Sequence, residues 1–163
     1  MSIKFVSCDT STNNSALTLF IDGKYKEHVL ISKSKIKDTY LRINNMIKAI
    51  YEQLNEWQPN TVWIEHPQGH GSNVDMVGKL CEILGAVRTW CLIHDCEYNE
   101  IAPSVWRKYA GIKQGKMKRE ALKQASIDYI KEKLGIDEGD DVADSIALGY
   151  AVLHYFDDEK ENQ

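Results

Sequence analysis

The stretch GDDVADSIALGYA, residues 139–151, places three aspartates at the mouth of an otherwise apolar helix. One carboxylate there caps free amides and meets the positive end of the helix dipole. Three exceed that need, and each requires a partner or water to stay charged. Asp141 and Asp144 are three apart and share a helix face, as do Asp140 and Asp144, four apart. Two further acids close apolar runs: Asp9 ends IKFVSCD and Glu65 lies in TVWIEHP. Carboxylates gathered at one point raise one another's pKa and resist joint ionisation unless cations sit among them. Hard oxygen donors in this number suit Mg²⁺ or Mn²⁺ rather than zinc. Two such ions, about 3.5–4 Å apart, activate a water and stabilise the leaving oxygen in phosphodiester hydrolysis.

Convergence requires particular elements. Residues 3–9 read as a buried strand, and 15–32 as two strands joined at Asp22-Gly23, a strong hairpin signal. Apolar residues at 40, 41, 43, 46, 47, 50, 51 and 54 predict a helix over 38–57, ending before Pro59. Residues 61–67 predict a fourth strand, stopped at Pro67 and the glycine-rich QGHGSN. A helix follows over 74–90, with Met76, Val77, Leu80, Leu84 and Val87 on one side, then a fifth strand over 96–103. After a basic loop, helices over 118–134 and 141–156 complete the chain. The order predicts an α/β fold with a mixed five-stranded sheet: three antiparallel N-terminal strands, then parallel strands, flanked by helices. If the first and fourth strands are neighbours, Asp9 and Glu65 emerge at one sheet edge, where ligands bind in α/β folds. The last helix needs only to cross that edge.

Composition sets the frame. A chain of 163 residues with 43% hydrophobic and 27% charged residues suits one domain, expected over 1–156, with a disordered acidic tail over 157–163. The net charge of −4 speaks against a nucleic-acid partner, but its distribution does not. The run from Arg107 to Lys123 is strongly basic, with Glu120 its only acid. The N-terminus has no basic leader and no run of about 18 apolar residues occurs, so a cytoplasmic chain without a membrane segment is expected. Cys8, Cys81, Cys91 and Cys96 form no CxxC pair and read as buried free thiols. Trp63, Trp90 and Trp106 read as core, while Met76, Leu80, Ile83 and Val87 offer a stripe for a second copy of the chain.

Asp9 in VSCDTSTNNSALTLF, Glu65 in VWIEHP, the basic GIKQGKMKREAL, and Asp141 with Asp144 in DDVADSIALGYA resemble the RuvC family of Holliday junction resolvases, within the RNase H-like superfamily. The likeness runs from about residue 3 to 155 and is to the phage-type members. It implies an RNase H-like fold and a homodimeric endodeoxyribonuclease that nicks four-way junctions, in the host cytoplasm if phage-encoded. It further implies Asp9, Glu65, Asp141 and Asp144 as a catalytic set holding two Mg²⁺ ions, with Mn²⁺ able to substitute. Asp140 stays open as an alternative to Asp141. Lys118 matches the family's lysine before the penultimate helix, where it would neutralise the scissile phosphate. Lys113, Lys116 and Arg119 are expected on the DNA backbone, positioning it without reading sequence. His70 and Asn73, in the loop after Glu65, are expected to touch DNA. Gln68 replaces the aromatic wedge of bacterial members, and Thr10-Ser11 replaces Pro-Gly. The missing wedge implies a looser enzyme that also cuts other branched DNA.

Other readings remain. A ribonuclease H acting on RNA–DNA hybrids would use a similar acid set, and a non-catalytic binder of branched DNA would keep the fold alone. DTSTNN has a faint likeness to the phosphate loop of actin-like sugar kinases, which need two such domains; this chain is too short for both.

Overall fold

The computed structural model describes residues 2–68 and 74–161, with side chains described to Tyr155. Five strands, β1 (Lys4–Asp9), β2 (Asn14–Ile21), β3 (Lys24–Ser32), β4 (Thr61–Glu65) and β5 (Glu97–Ile101), form one sheet in the order β3-β2-β1-β4-β5. The β1–β2 and β2–β3 pairs are antiparallel; β1–β4 and β4–β5 are parallel. The expected mixed sheet is present, and the first and fourth strands are neighbours. The β2–β3 turn is at Asp22-Gly23, both with positive φ (50° and 75°), as a tight hairpin demands. Asp22 also accepts the Ile3 amide at 2.8 Å, tying the turn to the start of β1.

Two helices cover one face. In α1 (Thr39–Trp57), Asp38 caps the N-terminus by accepting the Leu41 amide at 2.7 Å. Its buried residues, Ile43, Met46, Ile50, Leu54 and Trp57, recur at helical spacing and face the sheet. Helix α2 (Val74–Ile93) buries Ile83, Leu84, Val87, Trp90 and Cys91. Ile83 and Val87 therefore belong to the core, and the expected stripe for a second copy loses them. Met76 is exposed instead, because the first turns of α2 run beyond the sheet. Cys8, Cys91 and Cys96 are buried thiols, whereas Cys81 lies on the outer side of α2.

The opposite face is built differently. Helix α5 (Asp140–Glu161) lies across β1 and β2 and presents small residues: Ala143, Ala147 and Ala151 are fully buried. A Cβ added to Gly149 would overlap the Phe20 ring and the Ser7 hydroxyl, so only glycine allows this approach. One turn earlier, Ser145 closes a buried polar knot. Ser7 Oγ donates to the Ser145 carbonyl at 2.7 Å, Ser145 Oγ donates to the Ser7 carbonyl at 3.2 Å, and Thr18 Oγ1 lies 2.6 Å from Ser145 Oγ. Ser7 and Thr18 are direct cross-strand partners, so the knot fixes α5 in register with both strands.

Two differences from the expected elements bear on the site. The segment read as a basic loop begins with a helix, α3 (Pro103–Tyr109), which opens on a proline suited to a first helical turn and fully buries Trp106. Helix α4 (Arg119–Leu134) begins after Lys118. Helix α5 continues to Glu161, beyond the helix end expected at 156. Among the described residues, no helix is long and apolar enough to cross a membrane.

Candidate active site

Cys8 of β1 lies opposite Ile64 of β4, and both are buried in the core beneath α1 and α2. Side chains alternate along a strand, so the next residues, Asp9 and Glu65, project together from the other face, the one that α5 crosses. Because Ser145 is pinned to Ser7, the preceding residue, Asp144, is delivered to the same corner.

The electrostatics record the crowding. Burial pushes the Asp9 carboxyl well above its ordinary pKa, and the charges of Glu65, Asp144, Asp141 and Asp140, in that order, push it further. Burial likewise raises Glu65; the Trp106 indole N–H, donating to Glu65 Oε2 at 2.7 Å, and the nearby Arg107 guanidinium oppose the rise. Asp144 is raised by burial and by Asp140 and Asp141, against a hydrogen bond from Ser126 and the charge of Arg107. Its Oδ1 is buried and has no hydrogen-bond partner. Asp141 is raised by burial and by Asp140, against Lys123, an Asn14 hydrogen bond and Arg119. Asp140 is instead engaged by Lys123 in an ion pair of 2.5 Å.

The donor set fits a hard dication. It consists of carboxylate oxygens, it is crowded enough to resist full ionisation, and it contains a buried acceptor that nothing in the fold satisfies. Among the described residues, no three His, Cys, Asp or Glu side chains stand as a ready ligand cage. Carboxylates that repel one another have no reason to close up without a cation between them.

Sequence reasoning missed the groups that hold these acids. Trp106 was expected as core and is fully buried, yet its N–H fixes Glu65. The Arg107 guanidinium lies over the Trp106 ring at 4.8 Å, its Nε buried without a hydrogen bond, and supplies the positive charge beside Glu65 and Asp144. Reading Pro103 as a helix start would have placed both. Asn14 and Ser126 carried no signal, since isolated polar residues announce no partner. At the neighbouring strand end, His66 Nδ1 lies 2.5 Å from Glu100 Oε2, and Tyr98 donates to Glu100 Oε1 at 2.8 Å.

The basic residues are distributed unevenly. Lys113, Lys116 and Lys118 are exposed on the segment between α3 and α4, with Lys118 at the N-cap of α4. None makes an ion pair among the described residues. Arg119 lines a cleft of about 330 Å³ with Ser11, Asn13 and the exposed Gln68. His70 and Asn73 lie outside the described residues. A cavity of about 700 Å³ lies far from the acids, at the Asp22-Gly23 end of the sheet.

The model of a phage protein family, described as DUF3882, Lactococcus phage M3 protein, matches residues 1–158. No curated protein matches the sequence. The fold is similar to Thermus thermophilus RuvC, solved in complex with Holliday junction substrate, with a TM-score of 0.74 at 15% identity over 95% of this chain and 96% of that one. It is similar to Fowlpox virus resolvase, solved in complex with substrate Holliday junction DNA, with a TM-score of 0.64 at 18% identity over 94% of this chain and 99% of that one. It is also similar to the yeast mitochondrial Holliday junction resolvase Ydc2, with a TM-score of 0.60 at 12% identity over 97% of this chain and 81% of that one. The mixed five-stranded fold expected from the sequence is the fold observed, and it is shared with these three structures.

Proposed function

This chain belongs to the DUF3882 family, and on that premise we propose that it is a structure-selective endodeoxyribonuclease that resolves Holliday junctions and cuts other branched DNA. The observation that carries the reading is the meeting of Asp9, Glu65 and Asp144 at one corner of a resolvase fold, with Asp144 Oδ1 buried and unsatisfied.

Asp9, Glu65, Asp141 and Asp144 would hold two Mg²⁺ ions, or Mn²⁺ in their place. Bound there, the ions supply an activated water and charge stabilisation at the leaving oxygen. The choice of Asp141 over Asp140 rests on Lys123, which already neutralises Asp140. The remaining residues orient and balance this set. Trp106 holds one oxygen of Glu65, so its rotamer freedom is spent before DNA arrives, while Ser126 and Asn14 favour the charged forms of Asp144 and Asp141. Arg107 lowers the repulsion between Glu65 and Asp144 while its guanidinium stays stacked on Trp106.

Lys118 is assigned to the scissile phosphate, and Lys113, Lys116 and Arg119 to backbone positioning. Gln68, His70 and Asn73 are assigned to DNA contact. A homodimer sets two such corners on a substrate that is itself two-fold.

Cleavage of a synthetic four-way junction and of an RNA–DNA hybrid, each with Mg²⁺, tests the reading. Paired nicks placed symmetrically across the junction are expected. Cutting of only the RNA strand of the hybrid would overturn it in favour of a ribonuclease H activity.

A further inference from the structure

Lys33, Lys35 and Lys37 fall within five residues that contain no acid, in a chain whose net charge is −4. Their position follows from sheet register. Asn14, which opens β2, pairs with Ser32, which ends β3, so the chain leaves β3 at the same edge from which Asp9 leaves β1. The segment is a built turn. Its Lys33 amide donates to the Asn13 carbonyl at 2.8 Å, and the Ile36 amide to the Lys33 carbonyl at 3.0 Å. From the other side, Arg42 Nη1 donates to the Ile36 carbonyl at 2.9 Å. The backbone is thus tied both to the turn that follows Asp9 and to α1.

The amines are left available. Lys35 and Lys37 are exposed, Lys33 is half-buried, and none of the three makes an ion pair among the described residues. The acids nearby are otherwise engaged: Asp38 caps α1, and Asp75 pairs with Lys79. The turn also leads into a groove. A cleft of about 370 Å³ is lined by Thr12, Asn13, Thr39 and Arg42, next to the turn. It shares Thr12, Asn13 and Met76 with the cleft that holds Gln68 and Arg119, so the two clefts adjoin between the lysine turn and the residues assigned to DNA.

We propose that the Lys33–Lys37 turn is a second phosphate-binding surface, gripping the duplex arm that leaves the junction on the β3 side. The inference rests on the proposed action on branched DNA and adds to it a second hold, on a segment separate from that of Lys113, Lys116 and Lys118. Because β3 lies two strands from β1, the lateral offset is roughly 10 Å at the usual strand spacing. That corresponds to about three nucleotide steps of 3.4 Å, within one arm of a junction. Ammonium groups on flexible stems, without acids to hold them, suit phosphate oxygens and give contacts without base preference.

The test is the salt dependence of binding to a synthetic four-way junction, measured in EDTA for the full chain and for a Lys33→Gln, Lys35→Gln, Lys37→Gln variant. Each lost phosphate contact lowers the slope of log affinity against log salt by about 0.9, so a fall of about two to three units is expected. A variant carrying only Lys35→Gln and Lys37→Gln, both on exposed side chains, should lose about two units and guards against misfolding through Lys33. A control with Lys24→Gln, Lys26→Gln and Lys48→Gln removes the same charge elsewhere and should keep the wild-type slope. Slopes equal to wild type in both turn variants, or an equal loss in the control, would overturn the proposal while leaving the nuclease reading intact. A wild-type protein that neither binds nor cuts the junction would overturn both.

Discussion

The two faces of the sheet both bury apolar side chains but seat their helices differently. Beneath α1 and α2, large side chains such as Ile50, Leu54, Ile83 and Trp90 fill one apolar layer. Beneath α5, Phe5, Phe20, Trp63 and Trp106 form a second apolar cluster, to which Gly149 and a buried serine–threonine knot add a close contact at β1 and β2. The first face removes apolar surface from water, a quantity that tolerates repacking. The second fixes where a helix lies, because hydrogen bonds and close backbone approach have one register. That is the face on which Asp141 and Asp144 arrive. Both layers bury apolar surface, and the second adds the contacts that set placement.

Four predictions bear on this division. The largest effect is expected from Asp144→Asn, which keeps the shape and removes a charged ligand. Cleavage of a junction should fall on the order of 10³-fold, the rate equivalent of about 4 kcal/mol of lost transition-state stabilisation. The same variant should melt higher than wild type in EDTA at neutral pH. The sign follows from the pKa shifts: Asp9, Glu65, Asp141 and Asp144 are all raised. A raised carboxyl favours the fold fully below its unfolded pKa, and that contribution is lost as pH rises through the raised value. Melting of the metal-free protein should therefore fall from mildly acidic to neutral pH, less steeply in Asp144→Asn. A variant that cuts at the wild-type rate would remove Asp144 from the site.

Next come two substitutions that set the faces against each other. Leu54→Ala, beneath α1, should cost about 2–5 kcal/mol in denaturant unfolding but leave cleavage near wild type at a temperature where the protein is folded. Gly149→Ala, beneath α5, should cost about 1–3 kcal/mol, since Phe20 and Ser7 must give way, yet reduce cleavage by more than Leu54→Ala does. Equal effects on cleavage would erase the distinction between the faces. The smallest effect is expected from Lys118→Ala, which should reduce the salt slope of junction binding by about one unit.

Much of the placement was legible in the sequence because it follows from periodicity. Residues 3–9 and 61–67 are short apolar runs, as buried strands are, and their parallel pairing brings Asp9 and Glu65 to one edge. The final helix was visible from its apolar face and its leading aspartates. Other features were hidden for a common reason: polar residues inside elements announce no partner. Ser7, Thr18 and Ser145 read as interruptions of apolar runs, although together they dock α5. Helix α3 was concealed by its basic residues, which suggested a loop, and with it went the anchoring of Glu65 by Trp106 and the charge of Arg107. The first turns of α2 seemed continuous with its buried face, but the sheet does not extend beneath Met76.

Diffraction from crystals of the protein soaked in Mn²⁺, recorded at the manganese absorption edge, tests the gathering of the acids most directly. Anomalous peaks are predicted between Asp9, Glu65 and Asp144, with Asp141 rather than Asp140 completing the shell. Manganese absent from that corner at saturating concentration, or held only by surface acids elsewhere, would contradict the assignment.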